Sequence, residues 1–154
     1  MNVVLLSIHV LAAILFIGPA TVAASMFPPR ARAALTADGP DPVLETLHRI
    51  TRVYAIAGIA VPVFGIATGA AMGVLGETWL IVSMILTAVA AVLLAGGVLP
   101  GQSAILTALT GGADTRSRVT LLPRQLSMVT GLFALTWTVV VVLMIARPGS
   151  TTGA

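Results

Sequence analysis

Four long apolar runs, at residues 3–26, 53–75, 79–99 and 125–146, alternate along the chain with shorter polar segments. A bilayer core about 30 Å thick takes about 20 apolar residues of helix, and each run reaches that length. None shows the period-two alternation over about ten residues that a transmembrane strand requires. The pattern predicts an all-α fold, a four-transmembrane-helix bundle forming one integral membrane domain over residues 1–154. Pro28-Pro29 is expected to close the first span and Pro100-Gly101 the third, because proline has no N–H to continue a helix ladder. Gly76-Glu77-Thr78 separates the second span from the third in a tight hairpin, and Arg147-Pro148 ends the fourth. The first run has no positive n-region, so it reads as a retained span rather than a cleaved signal.

The connecting segments carry their own signals. Asp38-Gly39-Pro40-Asp41-Pro42 reads as a turn, with Asp41 as a helix N-cap and Pro42 at the first helical position. Val43, Leu44, Leu47 and Ile50 follow at helical spacing, with Glu45 and Arg49 as an i,i+4 pair. The second helix is therefore expected to begin here, before it enters the membrane. Residues 102–109 read as a short interfacial helix, broken by Gly111-Gly112-Ala113-Asp114.

Composition supports the same picture. The 154 residues are 58% hydrophobic and only 8% charged, against about 25% charged in a soluble domain. So few charges cannot clothe a water-facing surface, which excludes a soluble enzyme, a disordered tail and a nucleic-acid binder. All eight basic residues are arginines. Arg30, Arg32, Arg49 and Arg52 lie in the first loop and Arg116, Arg118 and Arg124 in the third; Arg147 alone belongs to the other side. The positive-inside rule then places both long loops in the cytoplasm and both termini outside. Trp79, beside the outer hairpin, fits the interfacial aromatic belt. Arginine-only, alanine-rich usage points to a high-GC bacterium, and so to the inner (plasma) membrane as a multi-pass protein. With no cysteine, disulfides, thiolate metal sites and cysteine nucleophiles are excluded.

Helix association in lipid depends on close packing and interhelical hydrogen bonds. Gly65, Gly69 and Gly73 form two overlapping GxxxG units, and Ser83, Thr87, Ala91 and Ala95 repeat at the same spacing on the third span. These faces are expected to meet below the Glu77 hairpin. Pro19 and Pro62 fall inside spans and are expected to kink them.

No Asp, Glu, Lys or Arg lies within any span, and His9 is the one histidine there. Ionisable groups inside a membrane are functional by default. Counting rises from the outer ends puts His9, Thr68, Thr87, Trp137 and Thr138 in one outer polar layer. His9 can serve as a simple hydrogen-bonding group to a neighbouring helix, or as a cofactor-binding histidine toward haem b or a quinone. A copper reading rests on Met72, Met84 and Met144 in the same half, since thioether and imidazole suit Cu(I); these methionines show no M-x-x-M grouping, and no metal ligand is assigned. His48, at the opposite membrane face, reads as a solvated loop residue beside Arg49.

Several motifs carry a family resemblance. Residues 8–18 read IHVLAAILFIG; Arg49-Ile50-Thr51-Arg52 leads into a glycine-rich span; Trp79-Leu80-Ile81-Val82-Ser83 opens the third. Gly96-Gly97-Val98-Leu99-Pro100 and Leu143-Met144-Ile145-Ala146-Arg147-Pro148 end the third and fourth. Over essentially the whole chain this resembles the bacterial integral-membrane proteins of domain-of-unknown-function family 2269, which implies no particular activity. More distantly, the first-helix histidine is similar to that of copper-resistance-D-type proteins and of J-type protoporphyrinogen oxidases. That resemblance implies haem at His9; the chain departs from those oxidases in having no lysine.

The leading expectation is a non-catalytic inner-membrane protein, an accessory or assembly subunit of a larger membrane complex such as a respiratory one. Its partners would be the lipid bilayer and other membrane subunits or a second copy, with no nucleic acid. The alternatives are a haem- or quinone-linked redox protein using His9, and small-molecule or metal transport.

Overall fold

The computed structural model describes residues 2–37 and 41–149, so the Asp38-Gly39-Pro40 part of the expected turn lies outside the described residues. Within them the fold is an all-α bundle of four long apolar helices. Helix α1 comprises Asn2–Ala12, a π-helical turn at Ala13–Ile17 and Gly18–Ala37. Helix α2 comprises Pro42–Ala57 and Ala60–Met72, and α3 comprises Thr78–Val92, a π-helical turn at Leu93–Val98 and Leu99–Thr110. A short α4, Ala113–Arg118, precedes the uninterrupted α5, Leu122–Ala146.

The internal irregularities share one cause. A proline removes its own N–H and crowds the carbonyl four residues earlier, so the ladder must adjust one turn upstream. Pro19 follows the π turn of α1 and Pro100 that of α3. In α2 the break at Gly58–Ile59 precedes Pro62, and the Gly58 carbonyl accepts from the Val61 N–H at 3.0 Å instead. A side chain at Gly58 would also crowd Ile17 on α1, so the irregular turns of α1 and α2 pack on each other.

Two expected helix ends are corrected. Pro28-Pro29 does not close α1, which continues to Ala37. Phe27, Pro28, Ala31 and Ala34 are all buried there, and the packing of α1 on α2 and α5 outweighs the lost backbone bonds. Pro100-Gly101 likewise does not end α3; the π turn absorbs the proline, and residues 102–109 continue the same helix. At 35, 31 and 33 residues, helices α1 to α3 reach about 46–53 Å at 1.5 Å per residue. They therefore extend beyond a bilayer core of about 30 Å, toward the end bearing Arg30, Arg49 and Arg116.

The expected cap at Asp41 is present. Its carboxylate accepts from the Val43 N–H at 2.9 Å, with Pro42 in the first turn, and it pairs with Arg30 on α1. The Arg30 hydrogen bond, assisted by the Val43 and Leu44 N–H groups, holds the Asp41 carboxyl below its ordinary value. A depressed folded value adds stability above the unfolded carboxylate pKa of about 3.9, and this is lost as pH falls through the folded value. Thermal unfolding should therefore show Asp41→Asn less stable than wild type near pH 6, with the gap closing below about pH 4. A gap that stays constant across that range would contradict the linkage.

The core is unequal along the bundle. At the arginine-rich end, Phe27, Leu44, Ile105 and Leu126 bring α1, α2, α3 and α5 into one cluster, and Arg32 of α1 donates to Ser127 of α5 at 2.9 Å. At the hairpin end α1 packs on α2 and α3 on α5, while contact between α2 and α3 is sparse. That half is two helix pairs with cavities between them. Outward-facing Val92, Met128 and Ile145 are each about 70% exposed and belong to the apolar belt of a membrane protein.

Candidate functional site

His9 lies on α1 at the open, hairpin end and is 8% exposed. Its Nδ1 is 2.9 Å from the Val61 carbonyl of α2. A carbonyl oxygen only accepts, so Nδ1 carries the proton and donates. In the neutral ring Nε2 is then left with its lone pair, and it has no hydrogen-bond partner among the described residues. Gly65, one turn along α2, makes this placement possible: a Cβ there would stand 2.9 Å from His9 Cε1. The imidazole is thus clamped edge-on against a helix that has been cleared for it.

Cavities surround the ring. One of about 270 Å³ lies between the helix pairs, with His9, Gly65, Met84, Thr87, Trp137 and Met144 on its walls. A second, of about 610 Å³, separates α1 from α5 and runs from Ala13 and Ile14 past His9 to Arg147. A small one of about 60 Å³ lies toward the hairpin, bounded by His9, Thr68, Gly69, Met72, Trp79 and Arg147. Their walls are mainly apolar, so His9 and Arg147 stand out chemically.

The expected polar layer is only partly assembled. His9, Thr87 and Trp137 face one cavity, and Thr68 joins His9 in another. Thr138 instead points outward from α5. None of the three hydroxyls reaches His9: Thr68 donates to Phe64, Thr87 to Ser83 and Thr138 to Ala134, each within its own helix. The small-residue faces are placed unevenly. Gly69 is approached by Leu80 of α3, close to the hairpin. Gly65 instead faces His9 of α1, and Thr87 and Ala91 look at it across a cavity. Ser83 is buried, and Gly73 is the left-handed cap of α2 at φ 71°.

The donors around His9 also include sulfur. Met84 and Met144 share one cavity with it and Met72 and Met144 another, which is a soft donor set. Among the described residues no group of three or more histidines and carboxylates is placed to hold a metal ion. For a haem the residues fit. An axial histidine with Nδ1–H on a backbone carbonyl is a common arrangement for metal ligands, and the larger cavity lies beside it.

A second polar cluster was not legible in the sequence. His48 is half-buried on α2 rather than in a loop, and its Nδ1 donates to Gln102 Oε1 at 3.0 Å. Gln102, fully buried on α3, donates in turn to Thr51 Oγ1 at 3.4 Å, which bonds Leu47 at 2.9 Å. The solvated reading of His48 is corrected for a simple reason. Because α3 continues through Pro100, Gln102 is brought level with His48. The clue available was a glutamine inside a helical stretch, whose amide needs partners when buried.

No family model matches the chain, and neither a curated protein nor a solved structure was found to be similar to it.

Proposed function

We propose that this multi-pass membrane protein is an accessory subunit, not catalytic by itself, that holds a lipid-soluble redox cofactor against His9 in the bilayer. The observation that carries this reading is the clamped imidazole: Nδ1–H fixed on the Val61 carbonyl, Gly65 cleared for the ring, and cavities on its flanks. A histidine needed only for helix packing would not require space beside it. Nε2 can ligate a haem iron, or accept a hydrogen bond from a hydroquinone hydroxyl. The orientation that goes with it follows from the arginines: the His9 end outside and the seven-arginine end in the cytoplasm, of a bacterial inner membrane.

Purification from native membranes in a mild detergent tests this directly. A Soret band that disappears in His9→Ala, or a solvent-extractable quinone lost in the same variant, is the expected result. A colourless, quinone-free preparation with full helical content would sink the cofactor role. Recovery as a lone monomer with no stoichiometric partner would remove the accessory role.

A further inference from the structure

We propose that the occupant of the His9 cavity is an amphiphile bearing a carboxylate, and that Arg147 is the cation that selects it. This rests on the reading that the cavity takes a lipid-soluble ligand, and it adds the chemical class of that ligand.

Arg147 follows the last residue of α5 and caps the helix with its N–H on the Leu143 carbonyl at 2.9 Å. Among the described residues it is the one non-glycine with positive φ, at 41°. A side chain in the left-handed region is uncommon and costs free energy that glycine would not. Such strain persists where the surroundings over-determine it and concentrates at functional sites. Here the conformation turns the guanidinium back over the bundle. It lies 5.6 Å from the centroid of the Trp79 ring on α3, and its Nε donates to the Met144 carbonyl at 3.4 Å.

Arg147 thereby lines both the 610 Å³ cavity and the small one beside Trp79, together with His9 in each. It is half-buried, and no carboxylate lies within ion-pair distance of it among the described residues. The buried Trp79 Nε1, on a residue 7% exposed, has no partner among them either. That indole N–H is closed off from the cavities, whereas the Arg147 guanidinium lines them with no counter-charge among the described residues. Beyond His9 and Arg147 the larger cavity is lined mainly by apolar side chains such as Val10, Ile14, Val140 and Val141, suited to an apolar body. A carboxylate supplies the missing charge at the hairpin end, and a hydrocarbon fills the remainder. A neutral quinone supplies no charge.

Two sources share this chemistry, an acyl chain and a tetrapyrrole with propionates. Both tryptophans of the chain line the cavities, so quenching of their fluorescence reports occupancy. The full chain in nanodiscs of zwitterionic lipid at pH 8 would be titrated with a brominated fatty acid and its methyl ester, and with haemin and its dimethyl ester. Saturable quenching is expected from one acid, at a half-saturating mole fraction about tenfold below that of its ester. Which acid saturates identifies the source, and saturation by the fatty acid alone replaces the redox cofactor of the proposed function with a lipid. Arg147→Gln should abolish the difference between acid and ester while Arg147→Lys keeps most of it, with helical circular dichroism confirming that both variants fold. Equal saturable quenching by acid and ester, or a preference that survives in Arg147→Gln, overturns the proposal and leaves the ligand-holding reading intact. Absence of saturable quenching by any of the four overturns the proposal and removes the haem form of the ligand-holding reading, and a ubiquinone analogue titrated in parallel decides the quinone form.

Discussion

Gly65→Val should lower cofactor occupancy at His9 by about 10- to 100-fold, the usual cost of disturbing the group that orients a histidine ligand. Even the Cβ of the new side chain would stand 2.9 Å from His9 Cε1 and 3.2 Å from Nδ1. The imidazole must swing away, and the 2.9 Å bond to the Val61 carbonyl is lost with it. Stability should change far less. Crowding a packed site costs about 1–3 kcal/mol, whereas replacing a helical glycine recovers a few tenths of a kcal/mol in propensity. The cavities beside the ring give it somewhere to go. Titration of the variant, read by cofactor absorbance beside a thermal melt, separates the two effects. Wild-type occupancy in Gly65→Val would mean that the clamp does not govern the site.

Gln102→Ala should produce the largest loss of stability, about 2–4 kcal/mol. Two contributions add. The first is a cavity where a fully buried side chain stood among α1, α2, α3 and α5. The second is the loss of both amide bonds, leaving the His48 Nδ1–H and Thr51 Oγ1 without their α3 partner. Interhelical hydrogen bonds in membrane proteins average only about 0.6 kcal/mol, so packing dominates. Gln102→Leu keeps most of the volume and should cost no more than about 1 kcal/mol. Unfolding of the pair in mixed detergent decides the matter: equal losses would show that the polar links, rather than the volume, hold this layer.

Much of the membrane architecture is legible in the order of residues alone. The four spans, the Asp41 cap and the hairpin at Glu77 follow from apolar run length and local backbone chemistry, and they recur in the fold. The helix ends expected at Pro28-Pro29 and Pro100, which the fold overrides, share one explanation. Proline penalises a helix locally, but Phe27 and Ala31 are already committed to a buried interface, and a π turn lets α3 absorb Pro100. Neither remedy is visible in a single sequence. Only parts of the candidate site are legible in the same way. His9 stands out because it is ionisable, yet its partner is a backbone carbonyl, and every residue has one of those.

The sequence by itself therefore determined how many times the chain crosses an apolar layer and which end gathers the positive charge, because burying charge in hydrocarbon is costly wherever the helices lie. Tertiary structure decided which face each helix turns inward. In a soluble helix polarity marks that face. Here lipid-facing and core-facing positions are equally apolar, so only the neighbouring helices could set His9 against Gly65 and Gln102 against His48, and turn Arg147 back over Trp79.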